Sequence, residues 1–429
     1  MKKLFASRLS IDIAGRTVAL AIIIFLTRHL GAAGFGKLAF GLSIVNIAYL
    51  FCEFGIPQIF LKEIGEINFG GGLSPGTAEG LDRGKIIWKE TLGLKFSLAA
   101  LTFLFILAFS RILWPWAEPS ILILLFGFMI GNNFVDFCHQ ACNASNKIGV
   151  SAAIMISHRV FLLLGLIAAI LLSDRLFSIA AGLCLGSLLG CATALLIVRG
   201  AFGYPLRPRW NPGVWVRWLK ISFPLSSIGI IINTYIRLGL LLLPWFVADR
   251  ELGYFAAGHK LFETGYMVPS ALMAIALPRL AGSFKNSPEG FGHIIRKVIL
   301  LILLLSAAWL AGGLLFGRLI IKTIYGPAYL PSVPIFQILV LVNVLSLFNV
   351  LLYYAMFIFD LLYRQLLNVA MVGLLSGVLT VTLINRAGAI GASWALVITE
   401  GVLLTLTVIT MIRLGKWRLL FPARGTANP

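Results

Sequence analysis

The chain has 429 residues, of which 59% are hydrophobic and 12% charged, with a mean hydropathy of +0.97. A soluble domain carries about a quarter charged residues, so the composition excludes one and predicts an all-α, polytopic membrane protein. The net charge of +19 sits mainly at the ends of apolar stretches, where lysine and arginine set topology, and it calls for no nucleic-acid partner.

Apolar stretches long enough to cross a bilayer, about 20 residues each, start near residues 9, 38, 86, 119, 148, 176, 219, 252, 297, 333, 365 and 389, predicting about twelve spans. No small-residue cleavage site interrupts Ile11 to Leu26, so the first stretch reads as a retained span rather than a signal peptide. It carries Asp12 and Arg16; the second span carries Glu53, followed by Gly55 and Pro57. Residues 65–84, rich in Gly with Ser, Pro and acidic residues, read as a flexible cytoplasmic loop. The fourth span holds Asp136, Cys138, His139 and Cys142, whose spacing spreads them over more than one helix face, which favours packing over a metal site. His158 and Arg159 lie in the fifth span. Residues 199–217, with Pro205, Pro208, Pro212, Trp210, Trp215 and several arginines, read as a hinge along the inner membrane surface. Arg237 follows in span seven, His259, Lys260 and Glu263 in span eight, and Glu400 in span twelve. The five cysteines all fall in predicted spans, with no C-x-x-C pair.

Residues 7–200 lie over 224–417 without a gap at a constant offset of 217. Thr17 then meets Thr234, Gly36 meets Gly253, Ala39 meets Ala256, Gly41 meets Gly258 and Lys62 meets Arg279. The match keeps turns and basic helix ends in register, which predicts two six-helix repeats related by a pseudo-twofold along the membrane normal. The expected organisation is an N-terminal bundle over 1–200, a cytoplasmic linker over 201–217 and a C-terminal bundle over 218–429. Lys2, Lys3, Arg8, Lys62, Arg83, Lys85, Arg207, Arg209, Arg217, Arg413 and Lys416 put most of the loop cations on the side of the two termini, which are therefore expected in the cytoplasm.

Ionisable groups inside spans carry whatever chemistry there is, because a charge at mid-bilayer costs about 2.5–3.5 kcal/mol on the mildest scale. Arg16 and Arg237 occupy equivalent helices under the 217-residue offset. With Lys260 and Arg159 they are the candidate substrate contacts; Asp12, Glu53 and Glu263 are the candidate coupling or cavity acids. The expected picture is a cationic cavity lined by spans one, two, seven and eight, able to hold an anionic group in low dielectric. Asp12 with Arg16 and Lys260 with Glu263 are spaced to pair within their own helices, so each is open to a structural reading as well. Arg237 has no acid within a helical turn of its own sequence, which makes it the best single candidate. For Asp136, His139, His158 and Glu400 functional and packing roles both stay open.

The run Thr27–Gly36, the polar-flecked span closing on Glu53, Phe54, Gly55 and Ile56 with the charged end Lys62–Glu63, and the small-residue run Gly388–Ser393 together resemble the O-antigen and exopolysaccharide flippases. That family of polysaccharide biosynthesis proteins sits in the multidrug/oligosaccharidyl-lipid/polysaccharide (MOP) exporter superfamily. The resemblance implies the superfamily's MATE-like fold and a carrier in the bacterial inner membrane. It would move a polyprenyl-pyrophosphate-linked oligosaccharide to the outer leaflet by alternating access, with no cofactor, a coupling ion (H+ or Na+), surrounding membrane lipids and polysaccharide polymerase machinery as partners. A drug or metabolite antiporter of the same superfamily is the alternative, disfavoured by the cationic sign of the cavity. A membrane enzyme acting on lipid-linked glycan is a further one, disfavoured because no G-x-S-x-G, H-E-x-x-H or P-loop pattern and no sizeable outer loop is present.

Overall fold

The computed structural model describes residues 2–69, 78–113, 118–145, 147–173, 175–286 and 288–417, and these contain helices and no strand. The helices are α1 (Lys2–Glu53), α2 (Ile56–Phe69), α3 (Ala78–Leu113), α4 (Pro119–Ala144), α5 (Ile148–Leu172), α6 (Leu176–Phe202), α7 (Pro212–Leu242), α8 (Asp249–Asn286), α9 (Pro288–Ile324), α10 (Ser332–Ile358) and α11 (Leu362–Arg413). Nine stretches among the described residues are long and apolar enough to cross a membrane, which makes this a multi-pass membrane protein.

Two of the long helices are broken by glycines in backbone conformations that a Cβ disfavours. α1 turns at Gly31 (φ 64°) and α11 at Gly388 (φ 53°). Divided at these kinks, and with α2 counted as the continuation of the limb before it, the helices make twelve segments. α8 carries the charged residues Asp249, Arg250, Glu251, Lys260 and Glu263 in its first half. A third break, at Phe54 (φ 26°) and Gly55 (φ 70°), separates α1 from α2 and leaves Glu53 at a helix end. Gly55 lies against Ser222 and Ser226 of α7, at distances of 2.6–2.9 Å from where a Cβ would be.

The loop expected over 65–84 is shorter than its composition suggests. α2 runs through Gly65 to Phe69 and α3 begins at Ala78; residues 70–77 lie outside the described residues. One glycine costs a helix only about 1 kcal/mol, and the apolar positions Phe60, Ile64 and Ile67 keep a helical spacing across Gly65 and Glu66.

Contacts divide the chain into two compact units, one of residues 1–30 and 40–230, the other of residues 31–39 and 231–429. In bilayer there is little hydrophobic force between helices, and close approach of small residues takes its place. In the first unit α5 and α6 cross on Gly165, Gly182 and Gly186, where any side chain would collide with the facing backbone. On α3, Trp88 stacks on Phe137 at 4.8 Å and on Tyr204 at 5.1 Å. The segment between α6 and α7, together with the first turn of α7, is fixed to α3: the Trp88 indole N–H donates to the Pro205 carbonyl at 3.1 Å, Arg209 N–H to Lys89 O at 2.9 Å, and the Trp215 indole N–H to Glu90 O at 3.0 Å. The buried Glu90 carboxylate accepts from the Asn211 amide at 2.8 Å. A stretch that reads as a connector is thus a packed clamp.

In the second unit the limb of α1 after its kink lies against the start of α8. A Cβ on Gly36 would sit 2.7 Å from Asp249 O and 2.8 Å from Gly253 N, and one on Gly253 would collide with the Ala32 carbonyl. The two glycines that the 217-residue offset makes equivalent therefore face each other across one helix crossing. Lys37 pairs with Asp249 at 3.1 Å beside it, and Glu251 Oε1 accepts the Ala389 N–H at 3.0 Å, closing the kink of α11.

Candidate functional site

α7 and α8 bring three ionisable residues into one ion cluster. Arg237 Nη2 donates to Glu263 Oε1 at 2.7 Å, and Lys260 Nζ to Glu263 Oε2 at 2.8 Å. A second arm of Arg237 reaches Asn233 Oδ1 at 3.0 Å, so the guanidinium is held in a fixed plane, a geometry suited to phosphate or carboxylate. Arg237 has no acid within a helical turn of its own sequence, and its partner Glu263 comes from the next helix, 26 positions along the chain. His259 is buried, and its Nε2 bonds the Ile236 carbonyl at 2.9 Å, so this nitrogen carries the proton. Its Nδ1 stands 4.0 Å from Glu263 Oε1. Two cations face one carboxylate, so Arg237, Lys260 and Glu263 together keep a single positive charge. The side chains of Arg237, Glu263 and Lys260 are 15%, 22% and 35% exposed, which leaves the cluster open to a partner.

Glu400, fully buried on α11, accepts from the Tyr235 hydroxyl at 2.8 Å and from the Asn349 amide at 2.6 Å. α7, α10 and α11 are joined by this carboxylate.

The first unit holds a second polar cluster. Tyr49 Oη donates to Asp136 Oδ2 at 2.9 Å. Glu53 lies in the electrostatic field of Asp136 and Lys95. Lys95 is 1% exposed, its ammonium 5.2 Å from the Phe137 ring centre and 5.6 Å from that of Phe134. Arg159 stands within electrostatic reach of Asp136, and its Nε is buried without a hydrogen-bond partner. His139 is engaged by Ser151 at 2.7 Å and Asn143 at 3.0 Å, and His158 by Ser187 at 3.5 Å. Cys138 and Cys142 are buried in packing with Trp88 and Phe137.

The candidate residues are thus divided. Arg237, Lys260 and Glu263 come together in the second unit, Glu53 and Arg159 around Asp136 in the first; the side chains of Asp12 and Arg16 lie outside the described residues. Lys95, Tyr49, Asn233, Tyr235 and Asn349 were not singled out by sequence. For Lys95 the signal was present, since a lysine in the middle of the third apolar stretch meets the rule that selected the other intramembrane charges.

A family model described as polysaccharide biosynthesis protein matches residues 2–283, well over half of the chain. The chain belongs to that family. No curated protein sequence matches it. Among solved structures, one titled an inward-facing multidrug resistance MATE family transporter of the MOP superfamily superposes with a TM-score of 0.71 at 12% identity, covering 97% of this chain and 99% of that one. The lipid II flippase MurJ, in an inward closed conformation, gives 0.65 at 12% identity over 94% and 90%. A MOP superfamily transporter from Pyrococcus furiosus, whose title reports reverse polarity of the binding pocket, gives 0.59 at 12% over 95% and 94%. At such identities the likeness is one of fold, a MATE-like helical one that extends over 94–97% of this chain.

Proposed function

We propose that the protein is a flippase that carries a polyprenyl-pyrophosphate-linked oligosaccharide from the cytoplasmic to the outer leaflet of a bacterial inner membrane. It would work by alternating access of two bundles bounded near residues 200 and 218, with both termini cytoplasmic and without enzymatic chemistry. One observation carries the reading: Arg237 and Lys260 converge on the single carboxylate of Glu263, leaving surplus positive charge in a partly open, mid-helix site. Two cations held in fixed orientation by one acid suit a diphosphate, which accepts from both and supplies the missing negative charge. The headgroup is the part that needs such help, because its charge is costly in hydrocarbon while the prenyl tail is not. A cationic drug would meet repulsion there, which argues against the antiporter reading. Membership in the polysaccharide biosynthesis family supports the glycan.

The test is display of surface glycan in a strain that depends on this protein. Arg237→Ala and Arg16→Ala are each expected to abolish display while the membrane content of the protein persists. Normal display in both would end the proposal. Orientation is checked separately: a reporter fused at Arg207 is expected to read cytoplasmic and one at Asp249 external, and the opposite pattern would reverse the direction of transport assigned here.

A further inference from the structure

The clamp between α6 and α7 is pinned to α3 by the Pro205 carbonyl, the Arg209 N–H and, in the first turn of α7, the Trp215 indole. Gly93 of α3 lies directly against the Arg209 carbonyl, with no room there for a side chain. The side chains that leave this rigid seat are of two kinds. Trp210 is 62% exposed, and its ring meets that of Trp215 edge to face at 5.5 Å. Beside it stand exposed Arg209 and half-buried Lys89, joined through the Arg209 N–H and the Lys89 carbonyl. Exposed Arg207 follows two residues away, at most about 7 Å along the backbone.

The charge of this surface is not balanced from within. The acids of α2 and α3 whose side chains are described each have a basic partner already: Asp82 has Lys85 at 3.0 Å, Glu63 has Arg217 at 3.7 Å and Glu90 has Arg209 at 3.8 Å. Glu90 is buried and also accepts from the Asn211 amide. Among the described residues no carboxylate lies within ion-pair distance of Lys89 or Arg207. Charge that serves only to set topology needs no fixed place, whereas these two cations are carried on backbone held by hydrogen bonds. Such a seat lowers the ordering cost of binding.

The ligand has to suit an indole as well as two cations. The clamp joins two membrane-spanning helices, so it lies where hydrocarbon ends, the level at which an amphipathic indole is at home. A free inorganic anion would be met by the cations alone and would leave Trp210 in water. An anionic phospholipid carries its phosphate next to apolar chains and satisfies both. We infer that Lys89, Arg207 and Trp210 form a docking platform for an anionic glycerophospholipid of the surrounding bilayer, with the cations on its phosphate and the indole along its glycerol and upper acyl chain. The platform is independent of what the protein transports.

The test uses the purified full-length protein in phosphatidylcholine vesicles doped with lipid brominated on its acyl chains, which quenches nearby tryptophan. The signal of Trp210 is the difference between wild type and Trp210→Phe. At a dose of about 10% of the lipid, brominated phosphatidylglycerol is expected to quench it at least about threefold more than brominated phosphatidylcholine, through attraction by two cations. In the Lys89→Gln, Arg207→Gln double variant the two lipids are expected to quench Trp210 equally. Equal quenching in wild type, no quenching by either lipid, or a preference that survives in the double variant overturns the platform. Inorganic phosphate separates the two sources of the anion. Against sodium chloride of the same ionic strength it is expected to leave the preference unchanged, and a loss specific to phosphate would assign the cations to the free anion and overturn the lipid. The wild-type preference decides alone if the double variant does not fold. No readout involves glycan, so failure of the display experiment and failure of the platform remain distinguishable.

Discussion

Glu263→Ala is expected to deplete the protein from the membrane, whereas Arg237→Ala leaves its amount near wild type. The asymmetry follows from the charge count. Glu263 is the shared acid of Arg237 and Lys260, and its loss strands two cations within a bundle. Removing one partner of a buried ion pair costs about 3–5 kcal/mol; here the groups are 15–35% exposed, so the lower end of that range or somewhat less applies. That is still a large share of an ordinary stability of about 5–15 kcal/mol. Arg237→Ala, by contrast, leaves Lys260 and Glu263 as a neutral pair one turn apart, costing fold little and the proposed anion contact everything. Fluorescence-detected gel filtration of membrane extracts measures both variants at once. Equal abundance of the two would mean that Glu263 is solvated well enough not to matter to the fold.

Gly253→Ala is expected to be among the most damaging single-methyl additions in the chain. The new Cβ would meet the Ala32 carbonyl, which belongs to backbone and cannot rotate away. Overpacking of a rigid contact costs about 1–3 kcal/mol, and more where backbone must move. Gly36→Ala, with backbone atoms at 2.7 and 2.8 Å, is expected to follow it closely. Gly312→Ala and Gly377→Ala are the controls: a Cβ there meets nothing within 4 Å, so both are expected to be neutral or to gain up to about 1 kcal/mol from helix propensity. Thermal unfolding of the four purified variants checks the ordering, and a Gly253→Ala protein as stable as the controls would remove this crossing from the list of tight contacts.

Much of the architecture could be read from residue order. The starts near residues 119, 148 and 176 coincide with α4, α5 and α6, because Pro119 and the polar residues before Ile148 and Leu176 punctuate clear apolar runs. The runs Thr27–Gly36 and Gly388–Ser393 proved to be the two places where long helices kink on a glycine with positive φ, a demand that only certain residues meet. What stayed hidden needed contact between distant positions. Arg237 and Glu263 are too far apart in sequence for a periodicity argument, which sees only neighbours three or four residues away. The grouping of Glu53, Lys95, Asp136 and Arg159 depends on how four helices are rotated about their axes, and an apolar run of mixed residues does not specify that rotation. The clamp of residues 203–211 on α3 was hidden for the same reason: proline and arginine content signals a connector, but not the carbonyls at Pro205, Lys89 and Glu90 that anchor it.

Residues 31–39, though early in the chain, are grouped with the second unit, through the meeting of Gly36 with Gly253 and the ion pair of Lys37 with Asp249. A gene cut between codons 210 and 211 would therefore yield a leading fragment that still carries a piece of its companion's interior. Produced together, such fragments should capture each other and copurify through a tag on either one. Produced singly, the trailing fragment would expose the seat of that missing piece and be a target for degradation.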